Sequence, residues 1–158
     1  MRLIAASHEM QFRNFVSYLA LRTTQQVNYQ VFSRELGINV DTIKRWISIL
    51  TTSGIIVLLE PFMANVSNRI IKAPKLYFMD TGLCAYLCKW PNARMLEKEA
   101  MGGAFFETFV VSETIKGYYN AGIDVTSHLY YYRDIVQREI DLLYVDENAI
   151  YPIEIKKR

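Results

Sequence analysis

The C-terminal end of the chain carries the side chains best suited to chemistry. Asp141 lies in one apolar run, and Glu154 and Lys156 flank Ile155 in the next. If both runs are β-strands, residues two apart share a face, so Glu154 and Lys156 lie side by side. The polar segment 146–148 between the runs is typical of a hairpin turn, which would bring Asp141 alongside that pair. Two carboxylates beside an ammonium are what binding Mg²⁺ or Mn²⁺ and activating a water molecule require.

This arrangement predicts a metal-dependent hydrolytic site. Asp141 and Glu154 would hold the divalent cation, and Lys156 would position or polarise the attacking water. The metal would offset negative charge developing on a phosphate and lower the pKa of its bound water. The alternative is structural: Glu154, Lys156 and Arg138 would form salt bridges on an exposed sheet face, as charges on edge strands commonly do.

A further acid lies upstream, in a segment with a helical pattern. Glu107 lies among large apolar residues in the segment 103–110, where an unpaired carboxylate would be costly to bury. A helix acid, a strand acid and an acid-x-lysine strand, in this order, resemble the core pattern of the PD-(D/E)xK nucleases. That resemblance implies a restriction-endonuclease-like domain in which Glu107 completes the site or orients a metal-bound water.

Over residues 8–158 the chain resembles the C-terminal half of a group of archaeal and bacterial AAA-type ATPases, a region of unknown function. The matching phrases are KLYFMDTGL at 75–83, FETFV at 106–110, YR at 132–133, EID at 139–141 and IEIK at 153–156. Family members carry an N-terminal P-loop ATPase domain, but no G-x-x-x-x-G-K-[ST] occurs in this sequence. We therefore expect no nucleotide binding and no ATPase activity. Because the family continues past its E-x-K strand, we also expect a fragment whose nuclease-like domain is incomplete at its C-terminal end.

The first half of the chain has the pattern of a winged helix-turn-helix. Apolar residues at helical spacing predict a first helix over 8–22, with Ser7 as its cap. A second helix is predicted over 28–36 and ends at Gly37, and a third follows over 40–53. Two helices joined by a tight turn form a helix-turn-helix, and the outward face of the second helix enters the DNA major groove in that motif.

Extended runs after the third helix predict a hairpin wing packed behind it. The runs 55–59 and 70–79 are β-rich and are separated by Pro61 and a polar stretch. Cations on the third helix and the wing would supply the non-specific affinity that dominates DNA binding. The candidate phosphate-binding residues are Lys44, Arg45, Arg69, Lys72 and Lys75. Winged helices also serve simply to pack against a neighbouring domain, and that alternative stays open.

The best domain boundary lies between the two halves. Asp80 is placed to cap a short helix, and residues 90–92 predict its end. We predict a winged-helix domain over 1–90 and a nuclease-like domain over 95–158, so the chain as a whole is α+β. The elements predicted in the second domain are a helix at 96–119 and strands at 125–133, 138–145 and 149–156.

The composition bears on the compartment and the partners of the protein. Hydrophobic residues make up 51% and charged residues 22%, and no apolar run reaches the roughly 18 residues that would span a bilayer. The N-terminus lacks the apolar core of a signal peptide, so we expect a cytoplasmic protein without a membrane partner. A net charge of +2 is too small to indicate a nucleic-acid partner by itself. Cys84 and Cys88 supply only half of a zinc site and favour reduced, buried thiols.

Two hypotheses about function follow. The first is a DNA-associated, Mg²⁺-dependent endonuclease module that works under the control of an ATPase partner domain. The second is a catalytically inactive module that docks the ATPase or forms an oligomer. Since the strand at 149–156 would lack the cover that the complete family fold provides, we also expect self-association through the C-terminal half.

Overall fold

The computed structural model describes residues 2–63, 73–90, 92, 101–134, 136 and 138–157. This part of the chain is α+β, as predicted, with five α-helices and two small antiparallel sheets. The helices are α1 (Arg2–Ala20), α2 (Tyr29–Leu36), α3 (Val40–Thr52), α4 (Thr81–Leu87) and α5 (Gly102–Asn120). The strands are β1 (Ile56–Leu59), β2 (Lys75–Phe78), β3 (Leu129–Arg133), β4 (Glu139–Val145) and β5 (Ile150–Ile153), and a 3₁₀ turn (Val125–Ser127) precedes β3. None of the helices in these ranges is long and apolar enough to cross a membrane.

Local signals fix the turn between α2 and α3, as the sequence predicts. The side chain of Asn28 accepts a hydrogen bond from the backbone N–H of Val31 at 3.0 Å, which caps the start of α2. Gly37 ends that helix with φ of +65°, in the left-handed region that glycine adopts without strain. Asn39 then accepts from the N–H of Asp41 at 2.8 Å and caps α3.

The starts of α1 and β3 differ from the prediction. Helix α1 begins at Arg2, so Ser7 lies within the helix rather than at its cap. The residues before Ser7 include Leu and Ala, which are strong helix formers and let the helix continue past the capping residue. Residues 125–127 form a 3₁₀ turn instead of extending β3, because Asp124 accepts from both the N–H and the hydroxyl of Thr126.

The first sheet pairs β1 with β2, and β2 is covered on its other side as well. The pairing is antiparallel, with Ile56 opposite Phe78 and Leu59 opposite Lys75. On the far side of β2, the segment after α1 adds hydrogen bonds from Thr24 N–H to the Leu76 carbonyl (2.7 Å) and from Leu76 N–H to the Gln25 carbonyl (3.0 Å). All four residues of β2 are therefore buried.

The second sheet is an antiparallel meander in the order β3-β4-β5. It is tied to the first half of the chain, since Tyr131 N–H donates to the Glu60 carbonyl at 3.1 Å and Phe62 N–H donates to the Tyr131 carbonyl at 2.6 Å. Strand β5 stops at Ile153, earlier than predicted. There, the Ile155 N–H donates to the side chain of Asp141 at 2.8 Å rather than to a strand backbone.

The described residues form two hydrophobic cores. The first lies among α1, α2, α3 and the β1-β2 pair, with Phe15, Ile43 and Leu50 at its centre. The second packs α5 against the meander, and it includes Leu59 of β1 and Tyr77 of β2. The second core therefore contains residues from both predicted domains.

Candidate functional site

A buried lysine lies where the first half of the chain meets the second. The side chain of Lys75 on β2 is only 4% exposed, and its ammonium pairs with Glu107 of α5 (3.2 Å) and with Glu139 of β4. Tyr77 lies two residues further along β2 and donates its hydroxyl to the same Glu107 oxygen at 2.6 Å. Because residues two apart on a strand share a face, one side of β2 supplies both donors.

Aromatic and polar side chains complete the surroundings of Lys75. The ring of Tyr131 lies 5.5 Å from the ammonium, and its hydroxyl accepts from Gln26 (2.8 Å) while donating to the Ala73 carbonyl (2.6 Å). Arg133 lies 3.6 Å from the second oxygen of Glu139. We refer to this group as the lysine cluster, which consists of Gln26, Lys75, Tyr77, Glu107, Tyr131, Arg133 and Glu139.

Asp141 lies two residues beyond Glu139 on β4, next to a β-bulge. Between the pairs Tyr130–Leu143 and Tyr132–Ile140, strand β3 has one residue and β4 has two, Asp141 and Leu142. A bulge interrupts strict alternation, and both Leu142 and Leu143, which follow Asp141, are buried. The Asp141 carboxylate is near enough to Glu107 to raise its pKa, and its Oδ2 also accepts from Ile155 N–H at 2.8 Å. The strand β4 thus supplies a further acid near Glu107.

The pKa values in the lysine cluster depend on burial and on the Lys75 ammonium, which pairs with two carboxylates. Burial raises the pKa of Glu107, and together with the nearby Asp141 it outweighs the opposing effects of Lys75 and the Tyr77 hydroxyl. Burial by itself would lower the pKa of Lys75, but Glu107 and Glu139 together raise it above its ordinary value. Burial, followed by the charge of Glu107, raises the pKa of Tyr77. Lys75 therefore stays charged, and Tyr77 stays a hydrogen-bond donor.

The residues predicted to bind metal are only partly brought together. Glu107 and Asp141 are electrostatic neighbours, whereas the side chains of Glu154 and Lys156 are 52% and 80% exposed and lie 4.0 Å from each other. Among the residues that the structure describes, no group of three or more His, Cys, Asp or Glu side chains is arranged to hold a metal ion. In this arrangement the donor set does not fit a divalent cation, since Lys75 already neutralises Glu107, the acid that would complete the site with Asp141 and Glu154.

The predicted phosphate-binding residues also separate. Lys44 and Arg45 lie on the exposed face of α3, with the Lys44 ammonium 5.9 Å from the centroid of the Tyr29 ring. Arg69 and Lys72 lie outside the described residues. Lys75 differs from the prediction, because α5 and β4 cover it and its ammonium is ion-paired in the interior. A buried, paired ammonium is not available to a DNA phosphate.

Sequence reasoning missed Tyr77 and Glu139 as members of the site. One signal was present in the sequence: Lys75 and Tyr77 alternate with apolar residues in a β-rich run, and so do Glu139 and Asp141. Cys84 is buried and Cys88 half-buried, both as free thiols, and burial raises the pKa of each. The interpretation of these cysteines as reduced thiols agrees with this placement.

The protein is therefore of the α+β class. Its first half is a helical unit with a two-stranded sheet, and the ion pairs of Lys75 join this unit to α5 and to the second sheet. Residues 2–94 match the family described as "Domain of unknown function (DUF8612)", and the chain belongs to that family. Residues 102–158 match a second family model, "Domain of unknown function (DUF4143)". The expected resemblance to regions of unknown function is confirmed to that extent.

Two curated relatives come from mycobacteria. They are the uncharacterized protein Rv2008c of Mycobacterium tuberculosis (strain ATCC 25618 / H37Rv) and the uncharacterized protein Mb2031c of Mycobacterium bovis (strain ATCC BAA-935 / AF2122/97). Each is 30% identical over 125 residues, which cover 79% of this chain and 27% of the relative. The chain therefore spans about a quarter of the length of these relatives. No solved structure matches the chain.

Proposed function

We propose that this chain is a catalytically inactive interaction module of an AAA-type ATPase, with a winged helix in its first half and a nuclease-like domain in its second. The observation that carries the proposal is the buried ammonium of Lys75 between Glu107 and Glu139. A metal site needs carboxylates whose charge is not yet neutralised, and here an internal cation supplies that charge. Glu107, an acid of the nuclease pattern, then holds two parts of the protein together, and Glu139, which lies outside that pattern, does the same.

The first half supports the winged-helix part of the proposal by its connectivity. Helices α2 and α3 are joined by a tight turn at Gly37, and the antiparallel β1-β2 pair follows α3. The outward face of α3 carries Lys44 and Arg45, which are exposed and favour contact with phosphates. This surface supports an association with nucleic acid that is independent of any cleavage activity.

The second half supports the nuclease-like part by the order of its elements. A long helix carrying Glu107 packs on an antiparallel meander, and the acids Glu139 and Asp141 lie on the central strand. The curated relatives are much longer than the part that the chain matches, which is consistent with a module of a larger protein. Ion pairs that fix the second half on the first would let the module present one rigid surface to its partner.

The test compares cleavage with binding. The purified chain is incubated with supercoiled plasmid in the presence of Mg²⁺ or Mn²⁺, and a P-loop ATPase domain of the resembling family is titrated against it by interferometry. We expect no divalent-dependent nicking and a saturable complex with the ATPase domain. Nicking that is lost in Asp141→Asn but retained in Lys157→Ala would overturn the inactive assignment. Absence of any complex would overturn the role in docking the ATPase.

A metal-dependent endonuclease is the second candidate, and one observation favours it. The hydrogen bond from Ile155 N–H to Asp141 places that acid next to the backbone between Glu154 and Lys156, as the nuclease pattern requires. If this candidate is correct, Lys156→Ala should remove nicking while leaving the free energy of unfolding almost unchanged, since the exposed side chain contributes little to packing. The same plasmid assay decides between the two candidates, with Mg²⁺ and Mn²⁺ as the metals supplied.

A further inference from the structure

A groove lies on the first half of the chain, between α1 and α4. It encloses a cavity of about 690 Å³, which is within the usual range for ligand-binding sites. Its apolar lining comes from Phe12 and Val16 of α1 and from Leu87 and Trp90 at the end of α4. The groove shares no residue with the lysine cluster or with the exposed face of α3.

The walls of this groove are fixed by the core beneath them. The ring of Phe12 contacts Trp46 edge to face, with centroids 5.2 Å apart, and the ring of Trp90 lies 4.7 Å from that of Phe105. Both partner rings belong to the first core. The groove is therefore a preformed feature of the folded chain, which limits the ordering cost of binding.

One aromatic side chain at the groove is almost entirely in solvent. Tyr86 is 78% exposed, although it lies beside four apolar lining residues. Exposed aromatic residues next to an apolar concavity are typical of protein interaction sites, where a ring covers the bound partner. The groove thus has both an apolar floor and a side chain placed to close over an occupant.

The charged residues at the groove are basic. Its lining includes Arg13 and Lys89 and no carboxylate. Arg13 pairs with Glu9 at 2.8 Å on the surface of α1, and an exposed pair of this kind is weak enough to exchange for another acid. No ion pair of Lys89 is found within the described part of the chain. Charge complementarity therefore favours an acidic occupant.

We propose that the groove binds an acidic amphipathic helix of a partner protein. Leucine-like side chains on one face of that helix would enter the apolar floor, and flanking Glu or Asp side chains would meet Arg13 and Lys89. Two helices that flank a groove leave room for a third helix along them, which is the geometry of helix-in-groove recognition. The inference deepens the proposed interaction role and rests on it, but it requires neither the lysine cluster nor metal binding.

The test uses three labelled synthetic peptides and the intact chain. The first peptide has Leu on one helical face and Glu on both flanks, the second replaces each Glu by Lys, and the third replaces each Leu by Ser. Fluorescence anisotropy measures binding, and the emission of Trp90 reports occupation of the groove, with Trp90→Phe to identify its signal. We expect the acidic Leu peptide to bind at least about tenfold more tightly than the other two.

Variants assign the binding to the groove. Arg13→Glu combined with Lys89→Glu should weaken the acidic peptide by about tenfold or more, and Tyr86→Ala should weaken it while leaving the fold intact. Lys116→Glu is the matched control, since it reverses an exposed charge on α5, away from the groove, and should leave binding unchanged. Equal binding of the acidic and basic peptides, or parent-like affinity in the double variant, would overturn the proposal. So would self-association of the parent that Tyr86→Ala abolishes, because the occupant would then be a second copy.

The two proposals fail in different ways. If the acidic peptide does not bind but the ATPase domain does, the interaction role stands and the groove is not its surface. If the peptide binds and the plasmid is nicked in a metal-dependent manner, the groove proposal stands and the inactive assignment fails.

Discussion

Among single residues, Lys75 carries a charge that the fold must compensate, because its side chain is only 4% exposed. Taking an ammonium out of water costs several kcal/mol, and that cost is offset only when the charge is paired and hydrogen-bonded. Lys75 meets this requirement with Glu107 and Glu139, and Tyr77 satisfies a further lone pair of Glu107. Lys75 is the critical member, because removing it leaves both acids without their shared cation, whereas removing either acid leaves Lys75 paired with the other.

Replacing Lys75 should be costly in proportion to that unpaired charge. Lys75→Met keeps the length of the side chain but leaves Glu107 and Glu139 without their shared cation, so we expect a loss of about 3 to 5 kcal/mol in the free energy of unfolding. Urea denaturation followed by circular dichroism measures it. Lys44→Met on the exposed face of α3 is the control, with an expected change within about 0.5 kcal/mol. Similar midpoints for the two variants would show that the ion pairs contribute nothing net.

The raised pKa of Glu107 predicts how stability changes with pH. A carboxyl whose folded pKa lies above its ordinary 4.5 favours folding while it is neutral, and this contribution is lost as the pH rises through the folded pKa. Relative to Glu107→Gln, which cannot ionise, the parent should lose free energy of unfolding as the pH rises from below the ordinary pKa of 4.5 through the raised pKa of Glu107. Urea titrations of both proteins across this range test it. A difference that is constant, or that grows with pH, would mean that Lys75 governs the ionisation instead.

Among the secondary-structure elements, α5 and β4 determine the partners of the acids Glu107 and Glu139. Helix α5 is anchored to the first half by the ion pair of Glu107 and by a buried hydrogen bond at 2.7 Å between the hydroxyls of Thr108 and Thr23. Strand β4 places Asp141 near Glu107, two residues beyond Glu139. Helix α3, by contrast, has a solvent-facing surface with Lys44 and Arg45, and it is free to meet a partner.

The exposed face of α3 predicts weak DNA binding. With two described cations on that face, any duplex affinity should be low and should fall steeply with salt, since it depends on displaced counterions. The double variant Lys44→Ala/Arg45→Ala should bind less well in fluorescence anisotropy at low salt. Lys116→Ala, on α5, removes a surface charge elsewhere and should bind like the parent. Binding that the double variant retains in full would exclude this face as the contact.

At the scale of the whole molecule, the two halves depend on each other. The second core uses Leu59 and Tyr77 from the first half, and the segment 60–62 hydrogen-bonds along β3. The opposite edge of the meander is β5, where Ile150, Tyr151 and Ile153 are exposed. Pro152 has no N–H to offer along that edge, which limits regular strand pairing but leaves the apolar side chains uncovered.

The exposed residues of β5 predict self-association through the C-terminal half. We expect light scattering at tens of micromolar to show a species larger than the monomer, because uncovered apolar strand residues favour association. Tyr151→Lys combined with Ile153→Lys should shift the protein towards monomer, while Tyr119→Lys on α5 should not. A parent that is monomeric, with residues 149–157 protected from hydrogen exchange, would show that one chain satisfies this edge by itself.

Several local features of the first half follow from the sequence alone, namely the end of α2 and the cap of α4. The capping side chain of Asp80 and the left-handed Gly37 lie where the sequence predicts them, whereas the caps at Asn28 and Asn39 were not predicted and Ser7 is not a cap. These signals depend on interactions between residues a few positions apart, so no knowledge of the fold is needed. Helix spacing and strand alternation likewise predicted the α+β class.

The partners of the charged residues, by contrast, depend on tertiary packing. From the sequence, Lys75 was predicted to be an exposed cation on a wing. In the fold, α5 and β4 bury it against Glu107 and Glu139, which lie 32 and 64 positions further along the chain. Alternation puts Glu139 and Asp141 on one face of β4, but the hydrogen bond from Ile155 N–H to Asp141 depends on how the strands pack. Whether the acids of the C-terminal half neutralise a metal or an internal lysine is therefore set by long-range packing, which a pattern of residue types does not contain.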